Sequence, residues 1–359
     1  MRRVRRRKSK RACAVKEDPS AVPSDSASAS STVGGVLNAY PTPSAAITSA
    51  SAVSASADAS PAASSSASSQ AAEPSASSGA GSGGLSGLMS YVFPRGTGSA
   101  HWTTVTEQPE TLSFDDALKP LAAGKLPSSG SAPDGSQALI ANYPAGTVKL
   151  AAPGHGYSFY TEGQHNGVEV TGAKEVVFSY SVYFQEGFQF VKGGKLPGLY
   201  GGTSFDAAKS CSGGRQDGRD ECFSARLMWR ANGAGEIYNY LPTAAYDHGN
   251  YCSTPPFSKC DPAFGESIGR GAFTFPTGQW TTVAIRLKMN DANVANGEQE
   301  LFVNGQSVIS LTDLMISVNS ETKIYGIMAQ TFFGGSDSSW ASSIDQSAYF
   351  KDWSIAVLA

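Results

Sequence analysis

The chain has 359 residues and a formal net charge of −3, and its composition changes sharply near residue 85. Residues 101–359 hold 17 basic and 25 acidic residues, so this part of the chain is acidic. A general nucleic-acid-binding domain needs a broad positive surface and is therefore disfavoured. The remaining length, about 260 residues, suits one large domain with a sizeable core.

The N-terminal region begins with a basic tail, since residues 2–16 contain nine lysines and arginines. No apolar run of signal-peptide length follows this tail. A tail of this kind is typical of segments that bind nucleic acid or anionic lipid, or that act as a nuclear localisation signal. It lacks the interleaved aromatic residues of a nucleic-acid-binding segment. A solvated tail is the simpler interpretation.

The segment 18–84 consists mostly of serine and alanine, with scattered proline, glycine and threonine. It buries too little apolar area to offset the ordering of the chain. The apolar stretch 85–93 is too short to span a bilayer. We therefore predict a disordered region at 1–95 and one folded domain at 96–359, with no transmembrane segment and no nucleic-acid partner.

The folded part shows strand patterns one after another. Runs with the alternation of β-strands lie at 176–184, 223–230, 280–289, 301–309, 325–333 and 349–357. Asn304-Gly305 in the fourth run is a strong hairpin-turn signal. Helical periodicity is brief, at 114–121 and 310–315. Successive strands without crossover helices predict an all-β fold, a β-jelly-roll sandwich with a concave substrate groove.

Four of the five cysteines form two couples that are close in sequence, Cys211 with Cys222 and Cys252 with Cys260. Their loop-like surroundings favour disulfides, although four cysteines allow three pairings. A zinc site is the alternative, but the paired CxxC spacing is absent and His248 is the only imidazole nearby. Disulfides indicate an oxidising compartment, so we expect a secreted protein, even though no signal peptide is visible. We also expect a monomer that needs no metal or cofactor.

Cationic and phenolic residues are concentrated between 192 and 240. In the run 223–230, apolar side chains alternate with a polar side that carries Ser224, Arg226 and Arg230. After a glycine-rich turn, Tyr238 and Tyr240 point to the same side of the next strand. A serine, two guanidinium groups and two phenols are therefore expected on one surface.

These residue types suit β-elimination on a uronic acid. The C5 proton of a uronate is poorly acidic until its carboxylate is neutralised, so the site needs cations there, a base, and an acid for the departing oxygen. Arginine and lysine suit the first task, and tyrosine can transfer the proton when a nearby cation lowers its pKa. This scheme requires no metal. No pair of closely spaced acidic residues on one strand supports glycoside hydrolysis instead.

A series of motifs extends over most of residues 170–359. They are Gly193-Gly194-Lys195-Leu196-Pro197-Gly198-Leu199, Ser224-x-Arg226, Met228-Trp229-Arg230, Tyr238-x-Tyr240, Gly269-Arg270-Gly271, Thr331-Phe332-Phe333-Gly334-Gly335 and Trp340-Ala341. This series resembles polysaccharide lyase family 14, the alginate-lyase-like polysaccharide lyases, including the fungal members of that family. The resemblance implies a jelly-roll fold and a catalytic constellation on one of its sheets.

The resemblance carries the catalytic roles over to five residues of this chain. It implies that Lys195 and Arg226 bind the uronate carboxylate and that Ser224 positions the substrate. Proton transfer falls to Tyr238 or Tyr240, with the leading phenol left open.

Three further cations are expected to extend the anionic subsites, namely Arg230, Arg270 and Lys192. Structural ion pairing is the alternative for the two arginines. We therefore predict a polysaccharide lyase that cleaves an anionic, uronic-acid-containing polysaccharide, glucuronan or alginate, by β-elimination. A lectin-like module that binds anionic glycans and a jelly-roll glycoside hydrolase are the alternative functions.

Overall fold

The computed structural model of the chain describes residues 85–121, 124–150, 154–211, 215–335 and 337–359. The basic tail and the serine- and alanine-rich segment of the predicted disordered region lie outside the described residues. Within the described part of the chain, no helix has the length and apolar character needed to cross a membrane.

The described residues contain three short α-helices, α1 (Leu88–Val92), α2 (Phe114–Leu118) and α3 (Phe205–Lys209). Short 3₁₀ turns lie at Arg219–Glu221, Ala231–Gly233, Thr243–Asp247, Tyr251–Ser253 and Ser338–Trp340. The strands are β1 (Ala100–Thr103), β2 (Ser129–Ser131), β3 (Gln137–Tyr143), β4 (Tyr157–Tyr160), β5 (Gln164–His165), β6 (Val168–Glu169), β7 (Glu175–Phe184), β8 (Gly193–Gly202), β9 (Cys222–Arg230), β10 (Ala234–Tyr240), β11 (Lys259–Asp261), β12 (Gly265–Thr274), β13 (Trp280–Lys288), β14 (Gly297–Val303), β15 (Gln306–Leu314), β16 (Lys323–Phe333) and β17 (Gln346–Val357).

Most strands belong to two antiparallel sheets. The first sheet has the order β15-β14-β13-β7-β17-β3-β2, with β1 also paired to β17. The second sheet has the order β11-β12-β10-β9-β8-β16-β4. Their inner faces share one hydrophobic core, in which Phe178, Ile285 and Trp353 of the first sheet join Leu227 and Trp229 of the second. The predicted all-β sandwich of jelly-roll type is therefore confirmed.

Residues 85–95 lie on the outer face of the first sheet. Helix α1 buries Met89 and Val92 in a small apolar cluster together with Val105. The Ser179 hydroxyl donates to the carbonyl of Val92 at 2.5 Å, which fixes the end of the helix on β7. Residues just ahead of position 96 therefore pack on this sheet, because a short apolar segment can do so without forming a core of its own.

The hairpin between β14 and β15 shows both the strength and the limit of sequence patterns. Asn304 and Gly305 adopt φ values of 48° and 80°, as a tight hairpin turn requires. The predicted helix at 310–315 is wrong, because this segment belongs to β15. Asp313 has φ 57° and the pairing with β14 shifts register nearby, so Leu311 and Leu314 both point inward. The bulge produces a spacing of three that imitates a helix.

Candidate active site

The polar residues of β8, β9 and β10 lie on the outer face of the second sheet. These three strands are direct neighbours, and Arg226 of β9 pairs in register with Tyr238 of β10. Ser224 pairs in the same way with Tyr240. Since inward and outward side chains alternate, the apolar partners Ala225 and Leu227 enter the core. The structure thus brings together the serine, the arginine and both tyrosines.

Two glycines of β8 permit its close approach to β9. A Cβ atom on Gly194 would lie 2.0 Å from the Trp229 ring, and one on Gly198 would lie 2.0 Å from the carbonyl oxygen of Ala225. Both distances are far below van der Waals contact, so only glycine fits at these positions. The Gly-Gly-Lys-Leu-Pro-Gly motif is therefore a packing requirement that places Lys195 beside the cationic face of β9.

Lys195 is a half-buried cation on this face. Its Nζ atom lies 3.2 Å from the ring centroid of Tyr238 and 2.8 Å from the sulfur of Met228. Burial lowers the pKa of Lys195 well below its usual value, and the positive charges of Arg226 and Arg230 lower it further. Lys195 takes part in none of the ion pairs formed between described residues.

Arg226 and Ser224 are buried with hydrogen-bonding capacity left over. Arg226 is 1% exposed, and its Nη1 donates to Oε1 of Gln330 at 2.9 Å. Within the described residues, the Nε of Arg226 and the Oγ of Ser224 have no hydrogen-bond partner. Buried polar atoms without a partner are rare in folded proteins.

Tyr238 and Tyr240 lie edge to face, with ring centroids 5.7 Å apart. The hydroxyl of Tyr238 donates to the carbonyl of Phe264. Burial raises the pKa of Tyr238, and the neighbouring Tyr240 raises it further, although Arg230 and Arg226 oppose both effects. Tyr238 is therefore a protonated phenol at neutral pH. The sequence-based expectation that a cation would lower this pKa does not hold for Tyr238, because desolvation outweighs the cations.

Tyr240 lies between two guanidinium groups. The carbon Cζ of Arg219 is 5.2 Å from its ring centroid, and that of Arg226 is 5.9 Å away. Both tyrosine rings also pack in an apolar cluster with the Cys211–Cys222 disulfide. The phenols thus lie on the cationic outer face and not in the core between the sheets.

The predicted subsite arginines share one buried carboxylate. Arg230 lies 2.6 Å from Oε1 of Glu236, and Arg270 lies 2.8 Å from Oε2. The hydroxyl of Ser267 donates to the same Oε2 at 2.6 Å. The two arginines are therefore ion-paired, but two positive charges face one negative charge. Lys192 is exposed and donates to the hydroxyl of Ser339 at 2.6 Å.

Sequence reasoning missed Gln330 and undervalued Glu236. Gln330 lies in the run 325–333, whose alternation already predicts that Gln330 faces away from the core. The structure buries Glu236 on β10, where it pairs with two arginines. A period-two count from Tyr238 back to Glu236 places both on one face. The signal was present in each case, but neither residue belonged to a recognised motif.

The structure contains both short-range disulfides, Cys211–Cys222 and Cys252–Cys260, so the predicted cysteine pairing is confirmed. The zinc alternative for these cysteines is thereby excluded, because all four are bonded to one another. Among the described residues, no group of three or more histidine, cysteine, aspartate or glutamate side chains is placed to hold a metal ion.

The sequence model of the family Polysaccharide lyase 14 matches residues 131–353. A crystal structure of the marine PL-14 alginate lyase from Aplysia kurodai is similar, with 28% identity and a TM-score of 0.61 over 73% of this chain and 99% of that one. A crystal structure of alginate lyase vAL-1 from Chlorella virus is also similar, with 25% identity and a TM-score of 0.51 over 64% of this chain and 89% of that one.

No curated protein matches the chain by sequence. The family match nevertheless covers more than half of the chain and includes every strand from β7 to β16. It also includes all the residues of the cationic face described above. The chain belongs to polysaccharide lyase family 14, and it is a polysaccharide lyase.

Proposed function

We propose that the chain cleaves alginate or a related uronate-rich polysaccharide such as glucuronan by β-elimination, on the outer face of β8, β9 and β10. The observation that carries this proposal is a pair of cations, Lys195 and Arg226, that lack carboxylate partners among the described residues and lie beside two phenols. Two similar solved proteins are alginate lyases, which supports alginate as the first substrate to test.

The first task of the site is to neutralise the uronate carboxylate. The unpartnered Nε of Arg226 and Oγ of Ser224 supply two donors that lie two residues apart on the buried outer face of β9. Lys195 adds a positive charge. A bound carboxylate favours the charged form of this lysine, because an opposite charge opposes the lowering of its pKa by burial. With its carboxylate neutralised, the sugar can give up its C5 proton.

The second task is proton transfer. Tyr240, whose ring lies within 6 Å of two guanidinium groups, accepts the C5 proton as the base. The electron pair of the broken C5–H bond forms the C4–C5 double bond, and the bond from C4 to the glycosidic oxygen breaks. Tyr238 holds its proton because burial raises its pKa, and it donates that proton to the departing oxygen. Proton exchange with solvent then removes the accepted proton from Tyr240 and returns a proton to Tyr238.

The subsites beyond the reacting sugar use Arg230, Arg270 and Lys192. The excess positive charge around Glu236 favours further carboxylates along the polymer. The two disulfides fit a protein that works in an oxidising, extracellular compartment. We include in the proposal that the enzyme is secreted and acts as a monomer.

A substrate screen tests the proposed function. The purified full chain is incubated with polymannuronate, polyguluronate and glucuronan, and the ultraviolet absorbance of the new double bond is followed. We expect absorbance to rise with at least one polymer. New reducing ends without absorbance would indicate hydrolysis, and binding without either product would indicate a lectin. Either of these results contradicts β-elimination.

A further inference from the structure

Gln330 contacts Arg226 from the neighbouring part of the same sheet. It lies on β16, and its Oε1 accepts a hydrogen bond from Nη1 of Arg226 at 2.9 Å. Gln330 is 8% exposed, so this contact is shielded from solvent. The side of the guanidinium that carries Nε is left without a partner in the described residues. One part of Arg226 is therefore fixed by Gln330, while its buried Nε keeps an unused donor.

A chain of hydrogen bonds determines which way the Gln330 amide points. The Tyr160 hydroxyl donates to the carbonyl oxygen of Lys209 at 3.1 Å, so it accepts at its oxygen from the Nε2 of Gln330 at 3.3 Å. The same Nε2 donates to the hydroxyl of Ser158 at 3.0 Å. A carbonyl oxygen can only accept, which sets the direction of the whole chain. Oε1 of Gln330 must then face Arg226.

The charge of the acceptor distinguishes Arg226 from the other arginines of the site. Arg219 pairs with Glu266, and Arg230 and Arg270 pair with Glu236. Among the described residues, Arg226 has no carboxylate within ion-pair distance and is held by a neutral amide instead. A neutral acceptor fixes the guanidinium and leaves its charge uncompensated.

We propose that Gln330 is a positioning residue that holds Arg226 without neutralising it, so that the full positive charge of the guanidinium acts on the substrate carboxylate. This inference rests on the proposed function, because it assumes that Arg226 binds the uronate. It adds that selectivity for a carboxylated sugar depends on an uncharged side chain at position 330.

The test compares two substitutions of nearly the same size, Gln330→Glu and Gln330→Met. Gln330→Glu gives Arg226 a carboxylate that competes with the substrate, so we expect kcat/KM on the uronan to fall by about 100-fold, mostly through KM. Gln330→Met removes the acceptor but leaves the charge free, so we expect a loss of about 10-fold. Activity should therefore follow the order Gln, Met, Glu.

Thermal unfolding of the same proteins separates this role from a structural one. The introduced carboxylate gives buried Arg226 a partner, whereas methionine leaves Nη1 unpaired, so Gln330→Glu should have the higher Tm of the two variants. A merely structural role predicts that activity follows stability, with the methionine variant the less active. That result, or a kcat/KM of Gln330→Glu within about threefold of wild type, would overturn the proposal.

Gln137→Glu is the matched control. Gln137 is exposed on β3 of the first sheet, so this variant adds the same negative charge away from Arg226. We expect its kcat/KM to match wild type, and an equal loss in both glutamate variants would show general repulsion of the polyanion and overturn the proposal. The wild-type enzyme must first produce unsaturated ends. If it does not, the proposed function fails, whereas an active wild type with an unaffected Gln330→Glu rejects this inference alone.

Discussion

Each sheet of the sandwich carries a cluster of charged residues on its outer face, and the two clusters are built differently. On the first sheet, Arg286 lies 2.5 Å from Glu175 and 2.8 Å from Glu298. On the second sheet, Arg226 meets only the neutral amide of Gln330 among the described residues. The first arrangement satisfies its cations internally and stabilises the fold. The second leaves cations available, which is what the binding of an anionic sugar requires.

The two clusters also differ in the pKa values of their cations. Burial alone would lower the pKa of Arg286, but hydrogen bonds to Glu175 and Glu298 raise it. Burial lowers the pKa of Lys195 on the second sheet, and two nearby guanidinium groups lower it further. Positive charge is thus stabilised on one face and destabilised on the other. The destabilised charge supports the second sheet as the proposed functional face.

Removing a catalytic phenol should have the largest effect. We expect Tyr240→Phe to lower kcat by about 10³-fold, because a proton-transfer group is lost, while polymer binding stays nearly unchanged. Tyr238→Phe should behave in the same way. Tyr183→Phe on the first sheet is the control and should keep full activity. Initial rates of double-bond formation measure all three, and full activity in both site variants would contradict the assignment of the tyrosines.

Replacing Arg226 or Arg286 with alanine tests directly whether the two outer faces differ in function. Arg226→Ala should lower kcat/KM by about 10²–10³-fold, because it removes the main donor to the carboxylate. Arg286→Ala should leave kcat/KM within about threefold of wild type while lowering the Tm. Kinetics on the uronan and thermal unfolding should be measured together. Equal losses of activity in both variants would show that the faces do not differ as described.

Methionine at the two cationic positions should change stability in opposite directions. Lys195→Met should raise the free energy of unfolding by roughly 1 kcal/mol, because it removes a buried cation that lacks a carboxylate. Arg286→Met should lower it by roughly 1–3 kcal/mol, because it leaves carboxylates unpaired. Denaturant titrations give both values, and Lys195→Met should be inactive. A destabilised Lys195→Met protein would contradict the account of this lysine.

The stabilisation by Lys195→Met should depend on pH in a defined direction. The pKa of Lys195 is lower in the folded state than its ordinary value of 10.5, so the unfolded state binds more protons between the two values. The cost of the buried positive charge to the free energy of unfolding is present in full below the folded-state pKa. This cost decreases as the pH rises toward 10.5. The advantage of Lys195→Met should therefore shrink at high pH, as unfolding measured across that range will show.

Salt should have the smallest effect and should act on one face. Raising the ionic strength screens the excess positive charge around Arg230 and Arg270, so KM for the uronan should rise by about 3-fold or less with kcat unchanged. Arg286→Ala should show the same salt dependence as wild type. A markedly different salt dependence in that variant would place substrate binding partly on the first sheet.

Much of the architecture was predictable, because alternating apolar and polar residues indicate a strand with one buried side. The runs 176–184 and 280–289 became β7 and β13 almost without change. Failures arose where one residue departs from regular strand geometry, as Asp313 does in β15. The position of helix α1 was also missed, because a short apolar segment gives no sign of the surface on which it packs.

The site was predictable in its residues but not in its electrostatics. Period-two spacing on β9 and β10 placed Arg226 and Tyr238 on one face, as the structure shows. Spacing does not indicate that Glu236 forms an ion pair with Arg230, nor that burial raises the pKa of Tyr238. Both depend on contacts between distant segments and on solvent exclusion. Those quantities are set by tertiary packing.

The packing of the Cys211–Cys222 disulfide against both tyrosine rings links oxidative folding to turnover. A chain made in a reducing cytosol lacks this covalent support beside the two tyrosines to which we assign proton transfer. Recombinant enzyme from such a host should unfold more easily and lose specific activity before its overall β-sheet content changes. The choice of expression compartment therefore determines whether a measured rate describes the native catalyst.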